Sequence, residues 1–318
     1  MTQPRIATFA RLANGNIAPK RVIAGQDTKL SRTMHGIAYN PDGDEIIVPN
    51  PVAAAILVFR GGADGSEPPV RVIQGSHTKL AYPHSVAVDV KNREILVGDP
   101  GGRKVLVFPL DANGDVQPKR VLQGRKTLLG YLVGMAVDPV RDLLVVSSSA
   151  IGGSFEGEGG HKGLLIFNRT DSGDVAPKAV ISGPKTGIVQ GAWQVVIDPD
   201  QGKMFVAVGN ANNYRPRYAL DKLRESAKGT VFRSPWRGDA LGFVGVWNIT
   251  DNGDVAPSAV IKGPYSELVH PVGLAVNFKD REIIVTDSVR NGAYIFSVPE
   301  FFGGRPLVGA PSAEGVRR

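Results

Sequence analysis

The sequence lacks the elements of several common kinds of protein. It contains no cysteine, which excludes disulfide bonds and thiolate chemistry. It contains no apolar run near the roughly 18 residues that a membrane-spanning helix requires. The start, Met1-Thr-Gln-Pro-Arg5, lacks the apolar core of a signal peptide. We therefore expect no membrane span, and a location in the cytoplasm or, if an export signal has been removed, in the periplasm or outside the cell.

Familiar catalytic motifs are absent as well. The chain has neither Gly-x-Ser-x-Gly nor His-Glu-x-x-His, and its Gly-Gly pairs do not form a loop joining a strand to a phosphate-binding helix. Glycine and proline are frequent instead, at 39 and 23 of 318 residues, while the apolar fraction stays at 42%. This composition indicates many turns around an ordinary core rather than disorder.

One segment recurs along the chain. Residues 171–183 read Asp-Ser-Gly-Asp-Val-Ala-Pro-Lys-Ala-Val-Ile-Ser-Gly, and residues 251–263 are nearly the same text. The copies are marked by glycines whose spacing is close to 50 residues at first and then widens, namely Gly15, Gly65, Gly114, Gly173 and Gly253. A recurring period of this length indicates a repeat architecture, and its turn residues favour a structural role for the motif itself.

Each repeat also carries three short runs of β-branched and aromatic residues, such as Ser85-Val-Ala-Val-Asp89, Glu94-Ile-Leu-Val97 and Lys104-Val-Leu-Val-Phe108. With the recurring motif as a fourth strand, this pattern predicts an all-β fold, a β-propeller of four-stranded antiparallel blades in a single domain spanning 1–318. The count favours five blades and leaves six open. We expect N- and C-terminal strands to close the ring and residues 299–318 to form a C-terminal tail.

The repeats resemble the NHL-repeat family of β-propellers over residues 5–298. The resemblance is carried by Pro271-Val-Gly-Leu-Ala-Val-Asn277, Glu282-Ile-Ile-Val-Thr-Asp287 and Tyr294-Ile-Phe296. It implies the propeller fold. Because NHL-like propellers serve many functions, it does not decide the function of this chain.

Two insertions break the period, at residues 149–162 and 211–241, and both fall between the second and third strands of a blade. In a propeller these loops share a face with the loops that enter the innermost strands. Loops on a rigid scaffold often carry binding sites, so we predict that this face is the functional surface.

The longer insertion is basic and aromatic. It holds seven basic and three acidic residues, so it contributes +4 to the formal net charge of +7. We predict a binding module that engages a protein or an anionic ligand, with nucleic acid as a further alternative. A solvated loop with no ligand is the competing interpretation. The candidate ligand-binding residues are Trp193, His161, Tyr214, Arg215, Arg217, Tyr218, Arg233, Trp236 and Arg237.

Three of the five histidines precede innermost strands. His35 and His84 occupy the same repeat position, and His270 lies two residues before the equivalent Val272. Their convergence would give a metal site, since neutral imidazoles bind zinc. The resemblance to NHL-like peptidyl-hydroxyglycine lyases, which use axial histidines as zinc ligands, implies the same. Histidines bonded to loop carbonyls are the other interpretation.

Oxygen-bearing side chains follow the second strands, namely Asn50, Asp99, Asn210 and Asp287. They predict either turn caps or, by resemblance to gluconolactonase-like propellers, a calcium site. The alternative function is therefore a metal-dependent lyase or lactonase-like hydrolase, with zinc or calcium as cofactor. A purely structural domain is a third interpretation.

Overall fold

The recurring apolar runs form the blades of a five-bladed β-propeller, as the sequence predicted. The computed structural model describes residues 4–32, 34–149, 161–188, 191–209 and 242–302. Within these ranges helical structure is confined to short 3-10 turns, and no helix is long and apolar enough to cross a membrane.

Twenty-one strands make up the sheets in the described part of the chain. The N-terminal sheet contains β1 (Arg5–Thr8) and β2 (Arg21–Ala24). Blade 1 contains β3 (Ala38–Asn40), β4 (Glu45–Asn50), β5 (Ala55–Arg60) and β6 (Arg71–Ile73). Blade 2 contains β7 (Ser85–Asp89), β8 (Glu94–Asp99), β9 (Lys104–Pro109) and β10 (Arg120–Gln123). Blade 3 contains β11 (Tyr131–Asp138), β12 (Leu143–Ser149), β13 (Gly163–Asn168) and β14 (Ala179–Ile181). Blade 4 contains β15 (Ala192–Asp198), β16 (Lys203–Val208), β17 (Phe243–Asn248) and β18 (Ala259–Ile261). Blade 5 contains β19 (Pro271–Asn277), β20 (Glu282–Asp287) and β21 (Gly292–Ser297).

Within each blade, consecutive strands pair in antiparallel register, from the innermost strand outwards. Blades 1 to 4 have four strands, and blade 5 has three among the described residues. A short 3-10 turn follows the outer strand of each four-stranded blade and leads the chain back to the next innermost strand. Its last residue is a buried threonine or serine whose hydroxyl donates to the carbonyl of the preceding glycine, as Thr78 does to Gly75 at 2.7 Å.

The recurring glycines serve as turns and also as ties between blades. Gly65 has a φ of 62°, in the left-handed region that glycine adopts without strain. Its amide donates to Val22 O, and Ala24 donates to its carbonyl, both at 2.8 Å. Equivalent bridges join Ile73 to Gly114, Leu122 to Gly173 and Ile181 to Gly253. Four of the five recurring turns therefore hold the outer strand of the preceding sheet.

The apolar core lies between neighbouring blades. At the boundary of blades 1 and 2, for example, Ile47 and Val58 pack against Val86 and Ile95, and all four are almost fully buried. The apolar alternation of each strand thus serves two boundaries, one on each face of the blade.

The N-terminal sheet contacts both blade 1 and blade 5. It covers Leu57 and Phe59 of blade 1, while Arg11 Nη1 forms a 2.9 Å ion pair with Glu282 Oε2 of blade 5. Among the described residues, β1 pairs only with β2. The expected closure of the ring through strands from both termini stays a prediction.

Candidate functional site

The innermost strands begin close together at one end of the propeller. A Cβ added at Gly36 would lie 3.0 Å from the carbonyl oxygen of His84, and one at Gly134 would overlap the carbonyl oxygen of Trp193. Only glycine permits the neighbouring backbones to approach this closely. The side chains that precede these strands are consequently gathered at one mouth of the ring.

Four of these side chains form a cluster. The imidazoles of His35 and His84 are stacked, with ring centroids 4.3 Å apart and an interplanar angle of 14°. Tyr131 meets His84 edge-on at 5.2 Å, and Tyr82 is close enough to Tyr131 to raise its pKa. We call His35, Tyr82, His84 and Tyr131 the histidine–tyrosine cluster. It spans the loops that enter blades 1, 2 and 3.

His35, His84 and Tyr131 are uncharged near neutral pH. Burial, aided by the neighbouring His35, lowers the pKa of His84 to about 3. Burial also lowers the pKa of His35. The pKa of Tyr131 is raised to about 12 by burial and by Tyr82. Parallel stacking of two imidazoles is compatible with this state, because neither ring carries a charge that would repel the other.

A second aromatic contact lies at the same end of the propeller. Trp193 meets His270 edge-on, with ring centroids 5.3 Å apart. A Cβ added at Gly209 would lie 2.8 Å from Trp193 Nε1 and 2.7 Å from His270 Cε1, so glycine leaves the space that both rings need. We call Trp193 and His270 the tryptophan–histidine pair. His270 is almost fully buried, whereas Trp193 is half-buried.

The oxygen-bearing side chains at the ends of the second strands hold the loops in place. Asp287 accepts the backbone amides of Val269 and His270, both at 2.7 Å. Asp99 accepts the amides of Ala81 and Tyr82 at 2.6 and 3.0 Å. Asn50 and Ser148 make corresponding contacts with Lys29 O and Gly130 N. The prediction of structural caps is therefore met at these positions, and Asn210 lies outside the described residues.

The structure brings together two of the three histidines predicted as metal ligands. His35 and His84 are in contact, while His270 contacts Trp193. Among the described residues, no group of three or more histidine, aspartate or glutamate side chains is placed to hold a metal ion. The three-histidine zinc site and the calcium site both stay predictions.

The predicted ligand-binding residues fall into two sets. Trp193 lies at the mouth, whereas His161 bonds to Ser182 Oγ at 2.8 Å, just beyond the outer strand β14. The predicted residues in the long insertion lie outside the described part of the chain, namely Tyr214, Arg215, Arg217, Tyr218, Arg233, Trp236 and Arg237.

Sequence reasoning missed Tyr82 and Tyr131. Tyr131 lies two residues before Val133, the same offset that separates His270 from Val272. In blades 3 and 5 a β-bulge displaces the residues that follow, between Leu132 and Gly134 and between Pro271 and Gly273. The shared offset was a signal that could have identified Tyr131.

The loops around the mouth are basic. By sequence, the five loops that lead into the innermost strands hold seven basic and two acidic residues. Asp115, Asp174 and Asp254 of the recurring motif accept loop amides, each at 2.7 Å, and so bring three negative charges to the outer rim. Asp99 and Asp287 hold the same loops and are also acidic, whereas the turns that follow them add Arg103 and Arg290. Nine basic residues therefore stand against seven acidic ones at this end of the propeller.

Comparison with known proteins supports the fold alone. No protein-family model matches the chain, and no curated protein sequence does. Among solved structures, a Kuenenia stuttgartiensis hydrazine synthase chain matches with a TM-score of 0.50 and 12% sequence identity. The match covers 81% of this chain and 56% of the other, so this chain spans just over half the length of the solved one. Since 997 solved chains match in structure, the architecture does not discriminate between functions.

Proposed function

We propose that this chain is an NHL-like β-propeller binding module, and that the mouth at the start of the innermost strands engages an anionic ligand or an acidic protein segment. The observation that carries the proposal is the gathering of flat, uncharged rings at this mouth. The histidine–tyrosine cluster and the tryptophan–histidine pair supply those rings.

The chemistry of the mouth favours a ligand with two features. Indole, phenol and neutral imidazole rings stack on planar apolar groups and hydrogen-bond to polar ones. The surrounding loops are net positive, which favours a ligand that also carries negative charge. The insertion at 211–241, whose sequence has a net charge of +4, supports the same ligand class.

The test is direct binding of an acidic aromatic probe. A fluorescein-labelled peptide of alternating glutamate and tyrosine is titrated with the protein, and fluorescence anisotropy is measured. We expect saturable binding that weakens as salt is added, and Trp193→Ala to weaken it about tenfold or more, since aromatic anchors dominate such contacts. Val140→Ala, at an exposed position in the turn between β11 and β12 at the other end of the blade, is the matched control.

Two results would contradict this proposal. The first is the absence of saturable binding by the wild-type protein. The second is equal binding by the wild type and Trp193→Ala. A peptide in which alanine replaces tyrosine separates the aromatic contribution from charge, because charge alone would leave its affinity unchanged.

The alternative function is a metal-dependent lyase or lactonase-like hydrolase. One observation favours it: His84 Nδ1 is buried and has no hydrogen-bond partner among the described residues. A lowered pKa also keeps His84 in the neutral form that binds metal. Metal analysis of protein purified without chelators, beside His84→Gln, tests this function. The alternative requires stoichiometric metal in the wild type and its loss in the variant.

A further inference from the structure

The N-terminal sheet has the contacts of the outer half of a blade. The bridge between Ile23 and Gly65 repeats those between the outer strands of blades 1 to 3 and the glycines of the following blades. With Ile23 matched to Ile181, Arg11 corresponds to Arg169. Arg169 binds Glu94 of the preceding blade at 3.0 Å, and Arg11 binds the equivalent Glu282 at 2.9 Å. β1 and β2 thus occupy the third and fourth strand positions of a unit between blades 5 and 1.

The first wall of this unit is the face of blade 1. Ile37 and Tyr39 are 56% and 55% exposed. Ile37 corresponds to Val86 of blade 2, which is only 4% exposed because it packs against blade 1. The outer part of the same face is buried, because the N-terminal sheet covers Leu57 and Phe59. Among the described residues, only the part of this face that an inner strand pair would cover is left open.

The second wall is the face of blade 5. Ile295 is 44% exposed and pairs with Ile284, which is half-buried. Their equivalents in blade 1, Val58 and Ile47, also pair with each other and are both 0% exposed. Ala275, on the innermost strand of blade 5, is exposed as well.

The third side of the space between blades 5 and 1 is the edge of strand β1. In blade 2 the third strand, β9, pairs with β10 on one side and β8 on the other. In the N-terminal sheet, β1 pairs with β2, and no described strand pairs with its other edge. A strand edge between apolar walls is a template for an added strand. We call the space bounded by Ile37, Tyr39, Ile284, Ile295 and β1 the inner slot.

We propose that the inner slot binds a β-hairpin supplied by a second polypeptide, which adds to β1 and completes the unit. The chain itself shows what fits: the inner pair of blade 2 runs from Ser85 to Asp99, and its two strands consist mainly of small and apolar residues. The walls formed by Ile37, Tyr39 and Ile295 carry no charge, so an uncharged hairpin face is required. A second copy of this chain is a poor donor, because its inner strands are already paired within its own blades.

The experiment uses a hairpin probe taken from the chain. A labelled peptide with the sequence of residues 84–99 is titrated with the full-length protein, and anisotropy and thermal stability are measured. We expect saturable binding and a higher Tm, because a ligand that binds only the folded state stabilises it. Ile37→Lys and Ile295→Lys should each weaken binding at least tenfold. Both positions are exposed, so the variants should fold. Val140→Lys, at a remote exposed position, should leave binding unchanged.

Each remaining outcome overturns the proposal. No binding by the peptide, or equal binding by a scrambled peptide, would show that the inner slot does not bind a β-hairpin. A dimer at micromolar concentration that Ile295→Lys dissociates would make a second copy the occupant. Binding that appears only after residues 303–318 are deleted would make the chain's own C-terminal segment the occupant.

Discussion

The boundary between blades 1 and 2 and the space between blades 5 and 1 are built from the same repeat, yet they differ in burial. Ile47 on blade 1 and Ile284 on blade 5 occupy equivalent positions and are the same residue type. Ile47 is fully buried against blade 2, whereas Ile284 is half-buried. The contribution of each isoleucine to stability therefore depends on whether a neighbouring blade covers its side chain. Its position in the repeat does not determine this contribution by itself.

The largest expected effect comes from truncating this matched pair. Ile47→Ala should lower the free energy of unfolding by about 3–4 kcal/mol, because it leaves a cavity in a closed boundary. Ile284→Ala should cost about 1 kcal/mol, because its side chain has water on one side. Urea denaturation of both variants measures the difference. Equal losses would mean that the two boundaries are equally packed.

The glutamates that begin the second strands of blades 2 and 5 give the next comparison. Glu94 is buried and receives Arg120, Lys119 and Arg169. Burial alone would raise the pKa of Glu94, but hydrogen bonds from Arg120 and Lys119 outweigh it and lower the pKa to about 2. Glu94→Gln should cost about 3 kcal/mol, because it removes the counter-charge of Arg120 and part of that of Arg169, and both arginines are largely buried. Glu282→Gln, whose partner Arg11 is half-exposed, should cost less than about 1 kcal/mol. Denaturant midpoints of the two variants measure this contrast, and a reversed order would contradict it.

Acid should destabilise the boundary between blades 1 and 2 at the end of the propeller where His35 and His84 stack. The pKa of His84 is lowered from 6.5 to about 3. Between these two pH values, His84 is protonated in the unfolded chain and neutral in the folded chain. This contribution to stability is complete above pH 6.5 and is lost as the pH falls towards 3. Between pH 7 and pH 5 it amounts to about 2 kcal/mol. Chemical denaturation at the two pH values should show the loss in the wild type and a smaller one in His84→Gln. An unchanged pH dependence in the variant would exclude His84 as the source.

The smallest expected effect is at the open wall. Ile37→Ser should change the free energy of unfolding by less than about 0.5 kcal/mol, because the side chain is already exposed. Val86→Ser, at the equivalent position of blade 2, should cost several times more, because it places a hydroxyl in an apolar boundary. Thermal melts of the two variants suffice, and a large loss for Ile37→Ser would show that its wall is covered in solution.

The blade architecture followed from the sequence, because turn glycines and β-branched runs recur with a near-constant period. The role of the recurring motif was predicted in part. Its turns were expected, but the backbone bridge from Gly65 to the neighbouring outer strand is a long-range contact that no local pattern encodes. The exposure of Ile37 on blade 1 and of Ile295 on blade 5 could not be predicted either, because the pattern marks apolar faces without showing whether a neighbour covers them.

The site was predicted less completely, for a geometric reason. Repeat position placed His35 and His84 side by side, and they are stacked. For His270 the same logic could not supply the partner, because the bulge after Pro271 and the space at Gly209 set its contact with Trp193. Tyr131 was overlooked because its blade has valine at the aligned position.

The four glycine bridges also determine the order in which the sheets of the propeller should unfold. Each bridge joins one sheet to the next, so the N-terminal sheet and blades 1 to 4 form a linear series of coupled units. Between blade 5 and the N-terminal sheet, the side chain of Arg11 forms ion pairs with Glu282 and Asp280. Hydrogen exchange at the amides of Gly65, Gly114, Gly173 and Gly253 would therefore report each joint separately, with opening that spreads inward from the ends of the chain of units.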